Sequence, residues 1–103
     1  MTDRIEKLMK LLEAEPTDAF CLYGLAQEYA RMSDHARAVE YYSRAIESDP
    51  DYLYAYFHMA KSLEAMSNMT AARQVLEKGL KRAADAGDPK ALGEIAGYLD
   101  AIT

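Results

Sequence analysis

The sequence predicts an all-α chain of about six helices stacked as antiparallel pairs, one domain over residues 1–103. Three observations carry that expectation. Ala, Leu, Glu, Lys, Met and Arg dominate, while only 5 Gly and 3 Pro occur among 103 residues, a composition that favours helices over strands. Pro16 and Pro50 stand 34 residues apart, each after an acidic residue that closes a helix-patterned stretch. Proline lacks an N–H and pushes the preceding residue out of the helical region, so both positions punctuate the chain. Sliding the sequence by 34 keeps the apolar spacing: Leu22, Leu25, Ala26 and Tyr29 fall on Tyr56, Met59, Ala60 and Leu63, and Ala38, Tyr42 and Ala45 fall on Ala72, Leu76 and Gly79. A fixed period of this size marks a repeated supersecondary unit.

Taken in order, the first helix is expected over 3–14. Leu8 and Leu11 precede Pro16 as Tyr42 and Ala45 precede Pro50, so 3–16 reads as a half repeat made of a lone second helix, with Arg4 where a small residue is expected. Helices over 18–31 and 35–48 form the first full copy, 18–50. Between them Met32-Ser33-Asp34 reads as a turn, because Asp34 is a good N-cap. Helices over 52–66 and 69–86 form the second copy, 52–86, with Met66-Ser67-Asn68 as the matching turn. After Ala86-Gly-Asp-Pro89, Asp88 caps a last helix over 89–102 with Pro89 in its first turn. There Leu92, Ile95, Ala96 and Leu99 repeat the first-helix spacing, shifted by 36 instead of 34. Each helical hairpin has an apolar face that it cannot bury alone, and stacking supplies the partner.

On these residues the chain resembles the tetratricopeptide-repeat (TPR) family, whose pattern is W-x2-L-G-x2-Y, then a small Ala, an aromatic and Pro. Residues 19 to 50 look like a full copy, with Leu22 in the Trp place and Ala26 in the Gly place. Residues 53 to 84 are similar but looser, with Leu63 where Tyr is usual and Ala84 where Pro is. The resemblance implies a right-handed superhelical stack whose first helices line a concave groove. It also implies that the groove binds a protein or peptide and that the chain catalyses nothing.

At about 100° per residue, Leu22, Leu25, Ala26 and Tyr29 form a stripe directed at the neighbouring helix. Roughly opposite lie Phe20, Tyr23, Gln27 and Arg31, and in the second copy Tyr54, Phe57, His58 and Lys61, with Glu64 one turn on. The third first-type helix adds Lys90, Gly93, Glu94 and Gly97. The resemblance places all of these in the groove. Exposed aromatics mark interaction surfaces, so Phe20, Tyr23, Tyr54 and Phe57 are candidate anchors; the competing reading packs Phe20 and Tyr54 between hairpins and Tyr23 and Phe57 against the third copy. Gly93 and Gly97 admit two readings as well: a close neighbour or ligand over bare backbone, or a weak terminal helix. Some TPR domains clamp a chaperone's C-terminal carboxylate with Lys, Asn, Asn, Lys and Arg. The residues here are Tyr23, Gln27, His58, Lys90 and Glu94, of which only Lys90 matches, so that clamp is not expected.

Other functions are disfavoured. Twelve Lys and Arg against 17 Asp and Glu give a formal charge of −5, which repels phosphate backbones, so no nucleic-acid partner is expected. A single cysteine, Cys21, has no second thiol to pair with. His35 and His58 lack metal-ligand spacing and no nucleophile triad or phosphate loop is present, so neither metal, cofactor nor enzyme activity is expected. No apolar run approaches the ~20 residues that span a bilayer, and Met1-Thr-Asp-Arg-Ile-Glu-Lys has no apolar signal region. A cytoplasmic protein with no membrane partner is the expectation. Self-association as a homodimer through the aromatic surface is the alternative to binding a foreign partner.

Overall fold

The computed structural model describes residues 3–103. It contains six helices: α1 (Asp3–Ala14), α2 (Ala19–Arg31), α3 (His35–Ser48), α4 (Leu53–Ala65), α5 (Met69–Ala86) and α6 (Pro89–Ala101). Among the described residues there is no strand. The fold is an all-α stack of TPR type, and each helix begins and ends within one residue of its expected place. At α2 a cap explains the shifted start: Asp18 lies outside the helix because its carboxylate accepts from the Cys21 N–H at 3.2 Å. The α4 helix starts after Tyr52, whose side chain makes no capping hydrogen bond.

The turns follow from the same chemistry. Asp34, Asn68 and Asp88 accept from the backbone N–H three residues on, at 3.3, 3.2 and 3.0 Å, which satisfies donors that a helix start leaves open. Ser33 and Ser67 each sit at φ 61°, the left-handed conformation that lets Asp34 N–H reach Tyr29 O and Asn68 N–H reach Leu63 O at 2.9 Å. Glycine usually fills such a place, and Gly87 does so at φ 69° after α5.

Packing runs in sequence: α2 against α3, α3 against α4, α4 against α5, α5 against α6, and α1 against α2. The expected stripes are the core. Leu22, Leu25, Ala26, Tyr29, Ala38, Tyr42 and Ala45 are buried together with Ile5, Leu8 and Leu12 of α1, and Ala60, Leu63, Ala72, Leu76, Ala91 and Ile95 form the core of the second half. Small residues set the helix spacing. A Cβ on Gly79 would lie 2.7 Å from the Tyr56 Cβ, so α5 rests with bare backbone on α4.

Between α1 and α2 the packing is partly polar. Arg4, at the small-residue place, reaches the buried carboxylate of Glu28, whose Oε2 is 3.2 Å from Arg4 Nε and 3.2 Å from Arg31. Cys21 is buried, its thiol donates to Leu8 O at 3.0 Å, and burial with the nearby Asp18 raises its pKa. The α6 stripe differs from expectation. Ile95 is buried with Ala91, whereas Leu92, Ala96 and Leu99 are half-covered, because α6 packs only on α5 and α4 among the described helices.

Candidate protein-interaction surface

Tyr23 of α2 and Phe57 and His58 of α4 belong to one connected series of rings. Tyr23 of α2 stands with its ring centroid 4.7 Å from Tyr52, 5.8 Å from Tyr42 and 6.0 Å from His58. His58 is 5.3 Å from Phe57, and Phe57 is 5.3 Å from Tyr98 of α6. The series Tyr52, Tyr23, His58, Phe57, Tyr98 therefore crosses α2, α4 and α6. Tilted and edge-on contacts at such distances are the favoured geometries of aromatic pairs. Tyr23 and Phe57 hold equivalent positions in their copies, and His58 joins them.

Electrostatics reflect this packing. Burial, reinforced by Tyr52 and Tyr54, pushes the Tyr23 phenol up to about 12, and burial raises Tyr42 further above its ordinary range. Burial, then the charge of Lys61, lowers His58 below its ordinary 6.5, so its imidazole is neutral at neutral pH. Burial, then hydrogen bonding to Glu64, raises Tyr98; its hydroxyl donates to Glu64 Oε1 at 2.5 Å and ties α6 to α4.

The other expected groove residues fall into distinct places. Gln27 is held between two phenols: the Tyr42 hydroxyl donates to its Oε1, and its Nε2 donates to Tyr23 OH at 3.2 Å. Arg31 turns to Glu28 beside Arg4, because a buried carboxylate needs counter-charge. Phe20 is 70% exposed in the first turn of α2. Tyr54 is half-buried beside α6, where burial and then Glu94 and Asp88 raise its pKa. Lys61 lies over the Phe57 ring, 5.1 Å from its centroid. Lys90 is exposed at the start of α6.

Between α4 and α6 lies an open depression of about 610 Å³, lined by Phe57, Lys61, Glu64, Gly93, Glu94, Gly97 and Tyr98. Cβ atoms added to Gly93 or Gly97 would meet nothing within 4 Å among the described residues, so no neighbour there requires these glycines. Tyr98 and Tyr52 were not singled out by the sequence. Tyr98 lies one helical turn beyond Glu94, a signal hidden by the 36-residue spacing; Tyr52 gave none, because its ring is placed by the turn before α4. Among the described residues no group of three or more His, Cys, Asp or Glu could hold a metal ion, and no helix is long and apolar enough to cross a membrane.

This stack of helical hairpins defines a TPR protein. Tetratricopeptide-repeat family models match residues 19–52 and 53–85. The chain is 35% identical over 95 residues to the TPR repeat-containing protein PA0015 of Pseudomonas aeruginosa, covering 92% of this chain and 90% of that one. It belongs to the tetratricopeptide-repeat family. Its fold is shared with the TPR2B domain of yeast Sti1, solved as a pHsp70 complex (TM-score 0.88, 20% identity, 95% of this chain and 78% of that one). The same holds for PcrH, solved with the chaperone-binding region of PopD (TM-score 0.86, 18% identity, 95% and 74%).

Proposed function

We propose that this chain is a non-enzymatic interaction module that holds a helix or extended segment of a partner protein across the aromatic face of α2, α4 and α6. The observation that carries the reading is the depression beside Phe57 and Tyr98. Its lining joins the rings of Phe57 and Tyr98 with the charged Lys61, Glu64 and Glu94 and with two glycines that packing among the described residues does not need. An apolar side chain of a partner fits against the rings, with the charged groups fixing its orientation. The two solved structures with the same fold, each captured with a protein or peptide segment, support this class of partner. Within the face, Phe57, Lys61, Glu94, Tyr54, Phe20 and Lys90 are the proposed contact residues. Tyr23, Gln27 and His58 support them from beneath, and Arg31 acts in the Glu28 ion pair. A chaperone carboxylate clamp is not part of the proposal, since Glu94 repels the group such a clamp grips.

A photo-crosslinking residue at Lys61, on the rim of the depression, tests the reading against the same residue at Gln74, exposed on α5. A foreign protein crosslinked from position 61 and not from 74 supports a partner groove. Crosslinks from 61 only to a second copy of the chain assign the surface to a homodimer. Equal yield from both positions overturns both forms.

A further inference from the structure

The charges that line the depression between α4 and α6 are unbalanced. Glu64 enters it from α4 and Glu94 from α6, against the single ammonium of Lys61; Lys90, the other cation of this face, is not in the lining. The ion pairs of the described residues join Arg4 and Arg31 to Glu28, Arg37 to Asp34 and Arg82 to Asp51, so neither Glu64 nor Glu94 has a basic partner among them. Their neighbours are phenols instead. Glu64 accepts from the Tyr98 hydroxyl through Oε1, and Glu94 stands beside Tyr54. A carboxylate offers about four acceptor sites, so one phenol leaves Glu64 most of its capacity.

The rings suit a cation as well. Lys61 already sets its ammonium over Phe57, 5.1 Å from the centroid, so one ring of the lining holds a positive charge on its face. Tyr98, 5.3 Å from Phe57 with the planes at 58°, has no Lys or Arg over it among the described residues. Its π-face attracts a cation electrostatically, and the Glu64 carboxylate at its hydroxyl adds to the attraction. Next to it Gly93 and Gly97 leave backbone bare, which lets a long side chain lie flat along α6. Arginine suits these features better than lysine. Its planar guanidinium stacks on a ring while its N–H groups reach carboxylates in the same plane, and it is more weakly hydrated than an ammonium.

We propose that the partner segment brings an arginine into this depression beside its apolar anchor, with the methylene stem along Gly93 and Gly97 and the guanidinium against the Tyr98 ring, between Glu64 and Glu94. A depression of about 610 Å³ has room for both side chains. The inference rests on the reading of the face as a partner groove and adds the charge that the groove selects.

The test is a displayed library of random short peptides, panned on the native chain and counter-selected on a Gly93→Leu, Gly97→Leu variant whose leucines fill the depression. Peptides specific to the native chain should share an arginine at one position. Citrulline there, which keeps the shape and loses the charge, should weaken binding at least tenfold. A Glu64→Gln, Glu94→Gln variant should weaken the arginine peptide by a similar factor and the citrulline peptide little; glutamine still accepts from Tyr98, so α6 stays tied to α4. An apolar residue or lysine at the shared position, or equal binding of the arginine and citrulline peptides, overturns the arginine and leaves the groove reading intact. A library with no peptide that prefers the native chain overturns both. The citrulline comparison uses the native chain alone, and photo-crosslinking of the arginine peptide from position 61 assigns its site, so the test decides even where a variant folds poorly.

Discussion

The backbone of Gly79 lies directly against the side chain of Tyr56: a Cβ at position 79 would stand 2.7 Å from the Cβ of the tyrosine. No pair of carbons tolerates that distance, so a Gly79→Ala chain must move α5 off α4. The expected cost is about 1–3 kcal/mol, and Ala38→Leu or Ala72→Leu should overpack their helix pairs on the same scale. Thermal melts of the three variants check this, and unchanged midpoints contradict the account of helix spacing.

At Ser33 and Ser67 the prediction has the opposite sign. Both hold a left-handed conformation that costs an L-residue about 1 kcal/mol or more. Replacing either with glycine should remove that cost and raise stability by about 0.5–1 kcal/mol, after allowing for glycine's greater freedom in the unfolded chain. Urea titrations read the change directly, and a fall in midpoint for both variants counts against the capping geometry.

His58 makes the fold sensitive to acid. Its folded pKa lies below the unfolded value of 6.5 because burial, then Lys61, disfavours the imidazolium. The unfolded chain therefore takes up the proton first as pH falls. The stabilisation is complete above about pH 6.5 and declines as pH falls below it toward the lower folded pKa. Denaturant midpoints measured at pH 7.5 and 5.5 should drop more for the native chain than for His58→Gln. Equal drops would show that the imidazole is not desolvated among Tyr23, Tyr42 and Phe57.

Much of this architecture is legible in the sequence, because a period and a cap are local signals. The 34-residue spacing gives the hairpins, Asp34, Asn68 and Asp88 give the helix starts, and the Leu22 to Tyr29 stripe gives the core. The surface is legible only in part, because a projection of one helix does not include its neighbours. Gln27 faces the expected side, yet Tyr42 from the next helix claims it. Arg31 is drawn off by Glu28, a carboxylate whose burial depends on the arrival of α1. Tyr98 joins the surface because α6 settles against α4, which the shifted spacing concealed.

Gly93 and Gly97 separate function from folding. Gly93→Ala and Gly97→Ala should each stabilise α6 by about 0.5–1 kcal/mol, since the added methyl meets open space and alanine is the better helix former. Melting curves for the pair check it, and a loss of stability in both would mean that something needs the bare backbone for folding.

Larger side chains at the same places provide the most direct measurement of the central claim. A Gly93→Leu, Gly97→Leu double variant fills the depression beside Phe57 and Tyr98 without entering the core. Affinity capture with the native chain and with this variant, quantified protein by protein, is the comparison. The account predicts that the variant folds with its full helical circular-dichroism signal and retains a tenth or less of the partner that the native chain captures. The same proteins captured in the same amounts by a folded variant would contradict it.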